Sequence, residues 1–205
     1  MNRTRIEPEN KNYDRRYFDR WYREAGIGGR QRLQRKVALA VATAEYHLER
    51  PIRSVLDIGC GEGAWRAPLL KLRPKMRYLG FDSSEYAVQR YGARRNLHFA
   101  RFGDFGMLRP CAPVDLLICS DVLHYLPTRE LDRGLPGLAE LCAGVAFLEA
   151  FTASDATDGD DVGFQRRPAR FYRQRLAALG FGTLGSHCWL SPLRVADAAA
   201  LEIAP

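Results

Sequence analysis

The sequence predicts an α/β protein whose doubly wound, mostly parallel sheet is flanked by helices. Short apolar runs with strand character alternate with helical patterns from residue 54 onward. Most of these runs are apolar on both faces, as strands are when helical crossovers cover both sides of a parallel sheet. Acids and glycines follow several runs directly, at the carboxyl ends where sheets of this kind bind ligands. Together these three observations predict the fold class.

The predicted elements follow in order along the chain. An apolar stripe predicts a first helix over 31–49, which ends at Arg50-Pro51 because a residue before proline disfavours the helical region. Strands are predicted at 54–59, 77–82, 97–103, 114–122, 144–151 and 181–190. Further helices are predicted at 64–72, 85–90, 128–142, 166–179 and 193–202. We expect Gly92 to stop the helix at 85–90, and Pro136-Gly137 to interrupt the one at 128–142.

Composition limits the class of protein. The 205 residues are 46% hydrophobic and 27% charged, which fits one globular domain. No apolar run approaches the ~20 residues of a membrane span, and we expect no secretory signal. Five scattered cysteines without a C-x-x-C pair argue against a disulfide framework and a zinc site, and fit a reducing cytoplasm. Up to Arg53, thirteen Lys and Arg face seven Asp and Glu, a local positive field that can attract an anionic partner or simply be solvated.

A glycine-rich segment follows the first predicted strand, Val55-Leu56-Asp57-Ile58-Gly59-Cys60-Gly61-Glu62-Gly63. Its glycines permit positive φ and close approach of a ligand to the backbone. The third glycine comes one residue too early for the dinucleotide fingerprint G-x-G-x-x-G. Asp57 stands just before the loop, where a carboxylate can hold the ammonium group of an amino-acid ligand. The segment resembles the first motif of class I S-adenosylmethionine-dependent methyltransferases of the small-molecule type.

Three later segments agree with this resemblance, which implies a Rossmann-like methyltransferase fold with S-adenosylmethionine as cofactor and S-adenosylhomocysteine as product. Asp82 ends the second strand, and its two oxygens suit the cis-diol of a ribose. The resemblance implies that Asp104 accepts a hydrogen bond from the adenine amino group and that Phe105 offers backbone and ring contacts. The segment 115–126 resembles the fourth family motif. The expected cofactor-binding residues are Asp57, Gly59, Cys60, Gly61, Asp82, Ser83, Gly103, Asp104, Phe105, Cys119 and Ser120.

The acceptor site is expected between the carboxyl ends of the fourth and fifth strands. An amine or hydroxyl acceptor can require a base, and the candidates there are His124, Asp121 and Glu149. His124 is a candidate because histidine side chains titrate in general near neutrality, but it can equally be a packing residue. Glu149 is a charge in an apolar strand and must find a partner, whether structural or functional. Asp121 can instead serve the amino group of the cofactor.

The N-terminal segment is dense in arginine and aromatic residues. The resemblance implies a lid over the cofactor with Tyr17, Trp21 and Tyr22 as its apolar contacts, whereas the alternative is a surface helix that packs through its rings. We therefore divide the chain into a helical lid or cap at 1–50 and a methyltransferase domain at 51–205. Arginine with aromatics also suits RNA. The acidic loop at 152–161, placed to shape the acceptor mouth, would repel a phosphate backbone.

The expected function is that of a cytoplasmic methyltransferase acting on an oxygen, nitrogen or carbon atom of a small molecule, with no metal and no membrane contact. One alternative is an RNA methyltransferase, although Ser120-Asp121-Val122-Leu123 lacks the Asn/Asp-Pro-Pro-aromatic motif of many nucleobase enzymes. Another is a non-catalytic partner subunit that keeps the fold. One clear strand after the fifth predicts that the antiparallel tail of this fold is short or altered. The oligomeric state stays open.

Overall fold

A central sheet carries helices on both faces in the computed structural model, which describes residues 13–24, 29–156 and 160–204. The strands are β1 Ser54–Ile58, β2 Arg77–Asp82, β3 Leu97–Phe99, β4 Val114–Ser120, β5 Cys142–Glu149, β6 Gly182–Gly185 and β7 Cys188–Leu190. The helices are α1 Arg15–Phe18, α2 Arg30–Leu48, α3 Arg66–Leu72, α4 Glu85–Arg95, α5 Thr128–Leu141 and α6 Ala169–Ala178. A π-helical turn at Asp19–Glu24 follows α1, and 3₁₀ turns occur at Phe102–Gly106 and Val195–Asp197. None of the described helices is long and apolar enough to cross a bilayer.

The sheet has the order β3-β2-β1-β4-β5-β7-β6. Neighbouring strands among β1 to β5 are parallel, and β7 runs antiparallel to both β5 and β6. This topology confirms the predicted fold class. The strand order reverses between β1 and β4, and a sheet of this kind opens a crevice for ligands at that point.

Strand β4 shows why the sheet is covered on both sides. Leu117 packs into a core cluster with Leu131 and Leu135 of α5. Its neighbour Leu116 points to the opposite face, into a cluster with Val37 and Val41 of α2. Helix α2 is therefore part of the cover of the sheet. The predicted division of the chain at residue 50 stays a prediction.

Helix α4 runs past Gly92, where the sequence predicted a stop. A Cβ on Gly92 would lie 2.9 Å from the Leu97 carbonyl oxygen, so the glycine allows the helix to pass close to β3. The helix ends instead at Asn96, which adopts the left-handed conformation (φ 57°). The Asn96 side chain also donates to the Tyr78 carbonyl at 2.7 Å. Gly92 thus serves packing, and the stop signal lies four residues later.

Helix α5 continues through Pro136-Gly137, where an interruption was predicted. A Cβ on Gly137 would lie 1.8 Å from the Phe105 carbonyl oxygen, and one on Gly134 would lie 2.4 Å from that of Phe102. Both glycines therefore let the helix approach the 3₁₀ turn at Phe102–Gly106. That turn also ends the third strand at Phe99, four residues earlier than predicted.

The C-terminal region contains two strands where the sequence indicated one. Ser186 and His187, both at positive φ, turn the chain between β6 and β7. The predicted helix at 193–202 is wrong, because only the 3₁₀ turn Val195–Asp197 forms there. Instead, the Ala204 N–H donates to the Thr183 carbonyl at 2.8 Å, which ties the chain end to the edge of β6. The antiparallel tail is therefore present but short.

Candidate active site

A cavity of about 1030 Å³ opens at the carboxyl ends of β1, β2 and β4. Its glycine-loop side is lined by Gly59, Gly61, Asp82, Ser83, Ser84 and the segment 99–102. Its β4 side is lined by Ser120, Asp121, Val122, Tyr125, Gln165 and their neighbours. The segment 13–18 adds a third wall. The volume lies at the upper end of the ~300–1,000 Å³ typical of ligand pockets, so two small ligands can fit side by side.

The glycine loop is pinned to the end of β2. The N–H groups of Gly59 and Cys60 both donate to the Phe81 carbonyl, at 2.8 and 3.0 Å. Gly59 has φ 73°, and a Cβ there would lie 2.3 Å from Val122 Cγ2. Any other residue at 59 would therefore be strained and would collide with the β4 side. Cys60 is buried, and burial raises the pKa of its thiol well above the usual value, so the side chain serves packing.

Asp57 lies beneath the glycine loop and does not line the cavity. Its carboxylate accepts a hydrogen bond from the Tyr78 hydroxyl at 2.7 Å. Complete burial raises the pKa of Asp57 to about 7, against the lowering effect of that hydrogen bond. The contact of Asp57 with the ammonium group of the ligand stays a prediction. In the structure, Asp57 lies below the loop and contacts Tyr78 of β2.

Asp82 faces the cavity at the end of β2. One carboxylate oxygen accepts from the Gly61 N–H at 2.6 Å, and the other from the Ser84 N–H at 2.8 Å. Burial raises the pKa of Asp82, while the hydrogen bonds from Ser84, Gly61 and Ser83 counteract this. A carboxylate oxygen can accept more than one hydrogen bond, so both oxygens keep capacity for a ligand. The site places Asp82 where the sequence predicted it.

Three further residues with a predicted role in cofactor binding follow the third strand. Gly103, Asp104 and Phe105 are not among the described residues that line the cavity. The Asp104 carboxylate accepts from the Arg101 N–H at 2.9 Å. The Phe105 ring is fully buried, edge-on to Phe81 at 5.5 Å. The chain enters its 3₁₀ turn at Phe102, which buries Gly103 and Phe105 and leaves Asp104 exposed, and the segment 99–102 lines the cavity. The contacts of Asp104 and Phe105 with the adenine stay predictions.

Glu149 is held in an ion pair behind the β4 side. Lys36 of α2 approaches it to 2.6 Å, and the Ser120 hydroxyl donates to it at 2.6 Å. Burial alone would raise the pKa of Glu149, but Lys36 and Ser120 lower it overall. Glu149 does not line the cavity, whereas Ser120 does. Of the two roles that the sequence left open for Glu149, these contacts favour that of an ion-pair partner over that of a base. Cys119 is fully buried within β4.

Asp121 and His124 lie next to each other but differ in access to the cavity. Asp121 has φ 65° and lines the cavity with a side chain that is 40% exposed. His124 is 1% exposed and packs between the rings of Tyr125 and Phe164. Its Nδ1 accepts from the Phe151 N–H at 3.3 Å, so the neutral ring carries its proton on Nε2. His124 is therefore placed to act on Asp121, not directly on a ligand.

The N-terminal segment contacts the glycine loop through a residue that the sequence analysis missed. Tyr17 lines the cavity, as does Phe18, which is 3% exposed. A Cβ on Gly61 would lie 3.2 Å from the Phe18 ring, so the ring is seated on the loop. Trp21 does not line the cavity and instead carries the Arg20 guanidinium at 4.9 Å from its ring centroid. The side chain of Tyr22, also predicted in the lid, lies outside the described residues.

Other residues on the cavity wall carried no motif in the sequence. Tyr13 lines the cavity, and its carbonyl accepts from the Ser84 hydroxyl at 2.5 Å. The Tyr125 hydroxyl donates to the Asp160 carbonyl at 2.9 Å, which ties the acidic loop to the β4 side. Residues 157–159 of that loop lie outside the described residues. The aromatic density of 13–23 was the available signal for Tyr13 and Phe18.

Comparison with known proteins agrees with this geometry. Residues 56–145 match the family model of a methyltransferase domain. The trans-aconitate 2-methyltransferase of Deinococcus radiodurans is 38% identical over 81 residues, which cover 38% of this chain and 30% of the relative. That of Azoarcus sp. strain BH72 is 36% identical over 76 residues, or 36% of this chain and 29% of the relative. The matches thus span under a third of the length of these relatives.

Solved structures resemble nearly the whole chain. The sugar N-methyltransferase KedS8 from Streptoalloteichus sp. has a TM-score of 0.65 at 17% identity, covering 90% of this chain and 92% of its own. The SAM-bound amino pentose methyltransferase CalS10 from Micromonospora echinaspora has a TM-score of 0.63 at 14% identity, covering 83% and 96%. At these identities the likeness concerns the fold. Together with the strand order, these matches show that the chain has the fold of these methyltransferases and that residues 56–145 are similar to a methyltransferase domain.

Proposed function

We propose that the protein transfers a methyl group from S-adenosylmethionine to a small-molecule acceptor. The observation that carries this proposal is that one cavity joins the glycine loop, Asp82 and the carboxyl end of β4. The sequence motifs that follow the first, second and fourth strands lie at these three places. The family model supports the same activity, since it describes a methyltransferase domain.

The residues present suit the cofactor. Asp82 keeps acceptor capacity on both oxygens for a ribose diol, and Gly59 and Gly61 allow the backbone to approach the ligand. The segment 99–102 offers an apolar wall, with Phe99 and Phe102, for a base. When bound, the cofactor supplies an electrophilic methyl group on a sulfonium. Residues of the β4 side such as Ser120 and Asp121 would hold the acceptor beside the bound cofactor, and such positioning would supply much of the catalysis.

The acceptor and the compartment are parts of the same proposal. A small molecule is favoured because Tyr13, Tyr17 and Phe18 wall the cavity and leave limited room beside the cofactor. The RNA alternative draws support only from the basic N-terminal region. Cytoplasmic localisation is supported by the five cysteines, all of which are free thiols at least partly buried in the structure.

Calorimetric titration tests the proposal, with S-adenosylmethionine, S-adenosylhomocysteine and, as the control ligand, NADH. We expect micromolar binding of both sulfur nucleosides and none of NADH. Binding of NADH in preference to either would contradict the proposal. So would the absence of binding by all three ligands, which would favour the non-catalytic subunit.

A further inference from the structure

The cavity walls carry an excess of negative charge. The described lining residues include one cationic side chain, Arg101, against the carboxylates of Asp14, Asp82, Glu85, Asp121 and Glu130. Within the described part of the chain, neither Asp82, Asp121 nor Glu130 forms an ion pair with a Lys or Arg. Their charges are therefore available to a ligand.

The negative charges around the cavity act on the phenol of Tyr13. Burial raises the pKa of Tyr13, and the charges of Asp82, Asp160 and Asp121, with Glu130, raise it further. These acids come from β2, from the loop before α6, from the end of β4 and from α5. Carboxylates thus converge on the cavity from several elements. A field of one sign in a cleft concentrates ligands of the opposite sign and repels those of the same sign.

Asp121 is the carboxylate best placed for an acceptor. Its left-handed backbone is fixed by its N–H, which donates to the Glu149 carbonyl at 3.0 Å. Aspartate is one of the few residues enriched in that conformation, which aims the side chain into the cavity next to Ser120. Glu149 is itself held by Lys36, so the end of β4 is rigid at this point.

His124 supplies an independent sign that this carboxylate is functional. Its Nε2 is completely buried and has no hydrogen-bond partner among the described residues. That atom lies 3.2 Å from the Asp121 Oδ1, within ion-pair distance but without the alignment of a hydrogen bond. Buried donors without partners are rare in folded proteins. A small rotation of Asp121 on ligand binding would satisfy the His124 donor.

We propose that the methyl acceptor is an amine, bound through its nitrogen by the Asp121 carboxylate, with His124 as a positioning residue. This inference rests on the proposed function. The amine binds as an ammonium ion and first gives one proton to the Asp121 carboxylate, which passes it from its exposed edge to water. The lone pair freed on nitrogen then forms a bond to the methyl carbon as the bond from that carbon to sulfur breaks, and the electron pair of the broken bond stays on sulfur. Atoms and charges balance without another reactant.

An amine acceptor differs in charge from the substrate named for the curated relatives. Trans-aconitate, named for the Deinococcus and Azoarcus proteins, is a tricarboxylate. Asp121 and Glu130 would repel it, because like charges facing each other across a binding surface oppose association.

The test uses one carbon skeleton with three head groups: benzylamine, benzyl alcohol and benzoate. Each is titrated by calorimetry into the full chain saturated with S-adenosylhomocysteine. We expect benzylamine to bind at least about tenfold more tightly than the other two, which corresponds to one charge-assisted contact. In Asp121→Asn this preference should vanish while affinity for S-adenosylhomocysteine is kept. The matched control is Asp197→Asn, which removes the same charge at an exposed site outside the cavity.

Each result decides between the two proposals. If S-adenosylhomocysteine fails to bind the wild type, the proposed function fails before the amine is tested. If it binds but benzylamine does not, or binds no better than benzoate, the amine proposal is overturned. If Asp121→Asn weakens S-adenosylhomocysteine and leaves the amine preference intact, Asp121 serves the cofactor and the proposal also fails.

The role of His124 is tested by two variants. His124→Phe keeps a ring among Tyr125 and Phe164 but removes the Nε2 donor, whereas His124→Gln keeps an N–H donor. We expect the amine preference to fall several-fold in His124→Phe and to be restored in His124→Gln at equal thermal stability. Equal preference in both variants would reduce His124 to a packing residue.

Discussion

The two sides of the cavity are built differently. On the glycine-loop side, the hydrogen bonds that hold the loop join the ends of two adjacent strands, as when the Gly59 N–H donates to the Phe81 carbonyl. On the β4 side, the wall depends on distant segments: Lys36 fixes Glu149, and Tyr125 holds Asp160. The geometry of the sheet therefore fixes the glycine-loop side, whereas separate long-range contacts fix the β4 side. Cofactor recognition should therefore survive changes on the β4 side.

The largest effect should come from Asp82, on the glycine-loop side. Asp82→Asn removes one acceptor oxygen toward the ribose and weakens the bond to the Gly61 N–H. Hydrogen bonds to a charged group contribute roughly 1.5–3 kcal/mol each, so we expect binding of S-adenosylhomocysteine to fall about 100-fold or more. Calorimetry measures this, and thermal unfolding checks that the variant is folded. Unchanged affinity would refute the assignment of Asp82 to the ribose.

The next largest effect is expected on the β4 side, where Glu149→Gln should change stability. Glu149→Gln leaves Lys36 without its buried counter-charge and should lower the free energy of unfolding by about 1–3 kcal/mol, below the range for fully buried pairs because Lys36 is partly exposed. Denaturant unfolding at pH 7 measures the loss.

The pH dependence gives a second reading on Glu149. The pKa of Glu149 is lowered in the folded state. Its contribution to the free energy of unfolding is therefore fully present above the unfolded pKa of about 4.3 and is lost as pH falls through the folded pKa. The difference in the free energy of unfolding between wild type and Glu149→Gln should shrink in that range. If this difference in the free energy of unfolding stayed constant down to pH 2, the ion pair would be contradicted. If the folded variant lost S-adenosylhomocysteine binding, cofactor recognition would depend on the β4 side, contrary to the comparison above.

Gly59 links the two sides physically. Gly59→Ala must strain a positive φ and displace Val122, so we expect S-adenosylhomocysteine affinity to fall about tenfold. Gly185→Ala is the matched control, because Gly185 also has a positive φ (86°) but nothing within 4 Å of the added Cβ. Adding Val122→Ala to Gly59→Ala should recover part of the loss. Equal effects of the two single alanine variants would show that contact with Val122 is unimportant.

The smallest effect should separate two aromatic residues of the N-terminal segment. Phe18→Ala removes a buried ring seated on Gly61, so we expect S-adenosylhomocysteine to dissociate a few-fold faster. Trp21→Ala should change the rate little, since Trp21 lies outside the cavity lining. Stopped-flow fluorescence measures both rates. A larger effect of Trp21 than of Phe18 would contradict this difference and would support Trp21 as a lid contact.

The same contrast explains what the sequence could reveal. Asp82 and the glycines were predictable, because a strand end in a parallel sheet fixes where the next residues point. Asp104 and Phe105 lie outside the described cavity lining, because the 3₁₀ turn at Phe102–Gly106 packs closely against Gly134 and Gly137 of α5. Their adenine contacts stay predictions, since that packing could not be read from the local sequence. The pairing of Glu149 with Lys36 joins residues 113 positions apart, and no local pattern reveals such a contact. Short-range geometry was therefore predictable, and long-range partners were not.

The most direct test of the account is amide hydrogen exchange of the full chain with and without S-adenosylhomocysteine. We predict that the ligand slows exchange in 59–63, 82–84 and 99–102 and in the segment 13–18, while β6 and β7 are unchanged. Protection of these segments together would support one cavity that holds the cofactor between the glycine loop and the N-terminal segment. If the ligand binds and exchange at 59–63 and 82–84 does not change, the cofactor site lies elsewhere and the account is wrong.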